Sequence, residues 1–181
     1  YEIVVSDWSS DVCSSDLDTT PLNYLIIIDR SDLLRQMFGE VLIPRAVLEE
    51  LQHPKAPVAV AAWLKQPPSW LRVVEVEHLD DSIRLGRGEN EAISLAVEHD
   101  VQIILMDERR GRAAAAERGL LPVGTLNLLD LADEKGLCEG LEALEELRRT
   151  TFRAEPELLA QFEARMRERR HSDSKRTSSE S

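Results

Sequence analysis

The sequence predicts an α/β fold in which a mainly parallel sheet is covered on both faces. Three observations carry that expectation. Short apolar runs alternate with helical segments along most of the 181 residues, the order expected of strands joined through covering helices. VQIILMD at 101–107 is a near-continuous apolar run of the kind buried on both sides in a parallel sheet. Proline and glycine stand at the borders of the helical segments, where they start and stop helices.

Thr20-Pro21 reads as an N-cap followed by proline at the first helical position, with Leu22, Leu25 and Ile26 on the buried side. The run YLIIID could instead be a buried strand, and the cap favours helix. A second short helix is expected over 31–38, ending at Gly39. EVLIP is a brief strand stopped by Pro44, which starts the helix PRAVLEELQH with Ala46, Val47 and Leu51 inward; Pro54 ends it. VAVAAWLKQ reads as helix, Pro67-Pro68 as a break and WLRVVEVE as a strand by its alternation. Residues 80–87 form a polar connector. NEAISLAVEHD is an amphipathic helix burying Ala92, Ile93, Leu95 and Ala96, followed by the strand VQIILMD. GRAAAAERG is helical, LLPVGT a last short strand and LNLLDLADEKG another helix. LEALEELRRT and PELLAQFEARMRERR are two further helical segments, and 171–181 is expected to be a disordered polar tail. Arg165, Arg167, Arg169, Arg170, Lys175 and Arg176 could meet nucleic acid there, although a solvated helix and tail is the simpler reading.

The first seventeen residues, YEIVVSDWSSDVCSSDL, have little of this pattern. Back-translation of 7–17 reproduces one frame of a common sequencing adaptor, and residues 1–17 are read as adaptor read-through and excluded from fold reasoning. They lack the basic region, apolar run and small-residue cleavage site of a secretory signal. Without them 164 residues remain, and loss of Glu2, Asp7, Asp11 and Asp16 takes the net charge from −12 to −8. Cys138 is then the lone cysteine, so no intramolecular disulfide or cysteine zinc site is expected and a reducing, cytoplasmic setting is the default. No run approaches the roughly 18 apolar residues of a membrane span. Acidity disfavours nonspecific binding to a phosphate backbone, yet it also follows if carboxylates converge to hold metal.

Four acidic residues fall where the alternation would gather them, at the carboxyl ends of the strands. Asp18 is expected to end the first strand and Asp107 ends VQIILMD. Glu50 lies on the helix after the second strand, and Glu89 opens the helix before the fourth. Clustered carboxylates repel unless a cation compensates, and they suit hard cations such as magnesium. Metal-assisted phosphodiester hydrolysis is the chemistry such a set supports. Taken singly each has an ordinary explanation, as a cap, a turn or an exposed helix residue; only the joint arrangement is informative.

At these residues the sequence resembles the PIN-domain nucleases, in particular a bacterial and archaeal branch of predicted nucleic-acid-binding PIN proteins related to VapC-type toxins. The matching pieces are DTTPLNYL at 18–25, VLIPRAVLEEL at 41–51, GENEAISLA at 88–96 and ILMDERRGRAAAAERGL at 104–120, with VGTLNLL after them. The domain so defined covers 18–150, with a helical extension over 151–170. The resemblance implies a three-layer α/β/α sandwich that binds Mg2+ or Mn2+ and cleaves RNA. It makes Asp18, Glu50, Glu89 and Asp107 the catalytic metal ligands, with Glu49 and Glu91 near enough to be alternatives of register. Thr20 would help hold Asp18 or a water. Arg109, Arg110 and Arg112 could bind substrate phosphates, which suit forked guanidinium donors, or neutralise neighbouring carboxylates at rest; Glu108 falls in the same network. An antitoxin protein and a homodimer are the partners the resemblance brings. It also implies an apolar strand before Asp18, where this sequence has polar Ser14, Ser15 and Asp16.

Two other readings stand beside the nuclease. One is a non-catalytic RNA-binding or regulatory PIN protein. The other is a haloacid-dehalogenase-like phosphatase with Asp18 as nucleophile, which wants a second aspartate where Thr20 stands. His53, His78, His99 and His171 share no metal-ligand spacing in sequence, and Trp63 and Trp70 read as packing residues.

Overall fold

A computed structural model describes residues 15–17 and 19–179, with side chains described over 21–171. Five strands form one sheet in the order β3-β2-β1-β4-β5, and each neighbouring pair is parallel. The strands are β1 (Ser15–Leu17), β2 (Val41–Pro44), β3 (Leu71–Val74), β4 (Ile103–Leu105) and β5 (Leu121–Val123). Between β1 and β2 run α1 (Thr19–Ile27) and α2 (Asp32–Phe38), so YLIIID is helix over its apolar part. Gly39, at φ 73°, closes α2 in a conformation that costs glycine little. Helices α3 (Arg45–Leu51) and α4 (Val58–Trp63) lead to β3, and α5 (Arg87–Glu98) to β4. Then follow α6 (Arg109–Glu117), β5, α7 (Thr125–Glu134), α8 (Gly140–Arg148) and α9 (Pro156–Ser179).

Strand alternation sends successive side chains to opposite faces. Val41, Ile43, Ile103 and Leu105 enter one apolar core, with α1, α2, α7, α8 and α9. Leu42 and Ile104 enter the other, with Ala92, Ile93, Leu95 and Ala96 of α5 and Ala115 of α6. The result is three layers, helices on both faces of a parallel sheet. Burying both faces explains why β2 and β4 read as unbroken apolar runs.

Phe162 and Met166 of α9 are buried in the first core, so the C-terminal helix packs against the domain. Two of its arginines tie it to α7. Arg165 reaches Asp130 at 2.8 Å and Arg169 pairs with Asp130 and Asp133 of α7; Arg167 pairs with Glu163. These three cations are therefore engaged within the fold. Helix α9 continues through Ser179, into the stretch the sequence suggests is disordered. Trp63 and Trp70 pack at 6.0 Å between ring centres, against the core. No helix among the described residues is long and apolar enough to cross a membrane.

Candidate active site

In strand order 3-2-1-4-5 the chain leaves β1 for one side and later crosses to β4 on the other. Connections at the carboxyl ends of β1 and β4 therefore diverge, and such a switch point opens a crevice for ligands. Asp107 stands two residues beyond the end of β4. Its carboxylate is held on both oxygens by Thr125, the first residue of α7. The Thr125 N–H donates to Oδ1 at 2.8 Å and the hydroxyl donates to Oδ2 at 2.6 Å. Gly124 permits the approach, because a Cβ there would lie 2.9 Å from Asp107 Oδ1. Burial pushes the Asp107 carboxyl above its usual range, against the Thr125 hydrogen bonds and the nearby charge of Arg112.

Glu89 is the third residue of α5. Its Oε2 accepts from the Gly86 N–H at 3.0 Å, the return half of a capping box. Its Oε1 is buried and has no hydrogen-bond partner. That oxygen lies against Gly111 in α6, where a Cβ would come within 2.9 Å of it. Glu50, near the end of α3, lies over Gly88, whose Cβ would meet Glu50 Oε1 at 2.7 Å. Glycines at 88 and 111 thus let two carboxylates settle onto helix backbone. Glu50, Glu89, Glu108, Arg84 and Arg110 line one cavity of about 490 Å3 beside Gly86 and Gly88.

A buried carboxylate oxygen without a partner is costly, and a cation relieves that cost. The donor set is all carboxylate oxygen, which suits magnesium or manganese. Glu50 and Glu89, on one cavity, therefore have the donor chemistry a hard divalent cation takes.

The alternatives of register are used elsewhere. Glu91 accepts from the Ala46 N–H at 2.9 Å and from Arg87 at 2.8 Å, tying α5 to the start of α3, and Arg87 also reaches Glu49 at 2.9 Å. Asp18 and the side chain of Thr20 lie outside the described residues. Arg109 is exposed at the start of α6, Arg110 lines the cavity and Arg112 approaches Asp107. Among the described residues, Glu50, Glu89 and Asp107 do not form a group with ligand atoms within 4.8 Å of one another. The trio that does is Glu77, His78 and Glu98, at the other end of α5. That exposed cluster uses Glu98 to accept the N–H groups of Glu77 and His78. Sequence reasoning passed over Thr125, Gly88 and Arg84. Thr125 had a visible signal, a hydroxyl residue after glycine at a helix start, but its partner is eighteen residues away.

The model of the family DUF3368, described as a PIN domain, matches residues 17–168, most of the chain. The chain is a PIN-domain protein. No curated protein and no solved structure matches it. A PIN domain is a nuclease-type fold whose members act on nucleic acids and usually use divalent metals. In this PIN domain the pocket lined by Glu50, Glu89 and Glu108 is acidic. The matched region begins at Leu17, and residues 1–16 precede it.

Proposed function

We propose that this PIN-domain protein is a divalent-metal-dependent endoribonuclease that hydrolyses phosphodiester bonds. The observation that carries the reading is the pairing of Glu50 and Glu89 on one pocket, with Glu89 Oε1 buried and unpartnered. Asp18, Glu50, Glu89 and Asp107 would hold Mg2+ or Mn2+. The bound cation supplies Lewis-acid polarisation of the phosphodiester and offsets the charge that develops on its oxygens. Thr125 keeps the Asp107 carboxylate oriented, and Gly86 holds Glu89 by its other oxygen, leaving Oε1 to the site. Arg110, at the pocket, with Arg109 and Arg112 on the same helix, would bind substrate phosphates, and Thr20 would support Asp18. The toxin half of a toxin–antitoxin pair in the cytoplasm is the setting to which this reading extends, with an antitoxin or a second copy as partner.

The test is cleavage of a labelled RNA by purified protein with magnesium or manganese. Asp107→Asn and Glu50→Gln should abolish it while leaving the circular dichroism spectrum unchanged. Cleavage by both variants at the wild-type rate would sink the assignment. Asp18→Asn should behave alike.

A non-catalytic RNA-binding role is the second reading. The separation of Glu50, Glu89 and Asp107 among the described residues favours it. It requires RNA binding that survives EDTA and no cleavage with any divalent metal.

A further inference from the structure

Arginines around the pocket divide by what they hold. Arg87 is committed to Glu49 and Glu91, and Arg118 to Asp80, Ser82 and the Ala114 carbonyl. Arg112 faces Asp107. Arg84 and Arg110 differ. Both line the carboxylate cavity, yet among the described residues neither donates a hydrogen bond nor forms a salt bridge.

Arg84 lies in the irregular connector before α5, and that connector is held in place. Ile83, its neighbour, is buried in the second apolar core. Asn90 Nδ2 donates to the carbonyls of Asp80 and Ile83, each at 3.2 Å. The Asp80 N–H donates to Ser94 Oγ at 3.0 Å, and Arg118, just past the end of α6, grips Asp80 at 2.7 Å. A stretch without regular hydrogen bonding is thus fastened at 80 and 83 to α5 and the end of α6. The residue immediately after the second anchor is Arg84, delivered to the mouth of the pocket.

Resting on the nuclease-type reading of this pocket, we propose that Arg84 is a substrate-positioning residue which, with Arg110 of the same cavity, holds the nucleic-acid backbone over the carboxylates. A cavity edged by Glu50, Glu89 and Glu108 repels a phosphodiester, and two guanidinium groups on its rim offset that repulsion. Each fork can bind two phosphate oxygens in parallel, which an ammonium cannot do. One of the two comes from the connector before α5 and the other from the first turn of α6.

The experiment is fluorescence anisotropy with a 5′-fluorescein single-stranded 12-nucleotide RNA, titrated in EDTA at several salt concentrations. Wild type, Arg84→Ala, Arg84→Lys and Arg72→Ala are compared. Arg72 is an exposed β3 residue paired with Glu40, and it reports a general change in charge. Arg84→Ala should weaken binding about five- to tenfold and flatten the plot of log affinity against log salt by about 0.7, one phosphate contact on a single strand. Arg84→Lys should restore the slope and only part of the affinity, and Arg72→Ala should match wild type. In cleavage assays the Arg84→Ala loss should fall on KM more than on kcat. Three results overturn the proposal: Arg84→Ala within twofold of wild type at an unchanged slope, an equal loss in Arg72→Ala, or wild type that binds no RNA. Binding that depends on Arg84 without cleavage under any metal would sustain the proposal and remove the hydrolase reading. Cleavage indifferent to Arg84 would do the reverse.

Discussion

Replacing Thr125 by valine removes one oxygen and keeps the shape of a fully buried side chain. The lost hydroxyl donates to Asp107 Oδ2 at 2.6 Å, while the Thr125 N–H, at 2.8 Å from Oδ1, stays. A hydrogen bond to a charged group contributes about 1.5–3 kcal/mol, so the variant should lose that much stability near neutral pH. For a domain of this size the loss lowers Tm by roughly 3–12 °C. The cost should depend on pH with a definite sign. Asp107 titrates above its ordinary 3.8 because burial opposes its charge, so its ionisation detracts from stability as pH rises through the folded value. Without the hydroxyl the folded value climbs further, and the penalty of Thr125→Val should grow from acid to neutral pH. Urea denaturation of both proteins at about pH 4 and about pH 7.5 measures it. Equal losses at the two pH values, or a loss under about 0.5 kcal/mol at the higher one, would refute the coupling. Thr125→Ser keeps the donor and should restore the pH dependence of wild type. Manganese affinity and kcat should fall about 10–100-fold in the valine variant, the usual cost of losing a group that orients a ligand.

Gly88→Ala places a Cβ 2.7 Å from Glu50 Oε1, so the glutamate must swing away. Because that atom ends a flexible side chain, thermal melts should move by no more than about 1 kcal/mol equivalent while RNA cleavage falls at least about tenfold. Wild-type kcat/KM in this variant would remove Glu50 from the site. The Ser82 hydroxyl, with the Arg118 guanidinium, holds the Asp80 carboxyl down at about 2. Its contribution to stability is present above 3.8 and is lost as pH falls towards the folded value, so the wild-type advantage over Asp80→Asn should shrink over that interval. An NMR titration of Asp80 with a midpoint near 3.8 would contradict this. Arg169→Ala removes one of two arginines that bind Asp130 and the arginine that binds Asp133, and should cost about 1 kcal/mol while exposing the segment before α9 to protease. Cleavage kinetics identical to wild type there would show that Phe162 and Met166 hold the helix unaided.

Elements whose burial is decided locally were legible in the sequence. The apolar stripe of α5, the buried side of α3 and the runs in β2 and β4 all appear with the expected residues inward. Boundaries moved where tertiary contacts set them. Helix α5 begins at Arg87, ahead of the periodic stretch, because the Glu89 side chain returns to the Gly86 N–H and closes the first turn. The pocket was legible only in part. Motif order pointed to Glu50, Glu89 and Asp107, with Glu91 as an alternative of register; the contacts of Glu91 with the Ala46 N–H and Arg87 are tertiary and had no signal in the sequence. Arg84 carried no local signal, since its placement depends on Ile83 and Asn90. The arginines of α9 illustrate the converse: in a basic run that suggests a polyanion partner, Arg165, Arg167 and Arg169 are spent on Asp130, Asp133 and Glu163.

Strand β1 occupies the centre of the sheet with the sequence Ser-Asp-Leu, paired to Val41 and Leu42 on one side and to Ile103, Ile104 and Leu105 on the other. Those five neighbours are all nearly or fully buried. The two flanking strands bring apolar residues to both sides of that berth, and side-chain pattern as well as the ladder decides which strand fits it. The pocket therefore rests on two foundations. Asp18, Glu50, Glu89, Asp107, Arg84 and Arg110 all fall inside the matched family region, but Asp18 alone follows directly on a strand, Ser15–Leu17, that lies almost wholly before that region. An apolar graft of a few residues into that berth repairs one foundation and leaves the other untouched, which makes the chain a natural host for strand replacement.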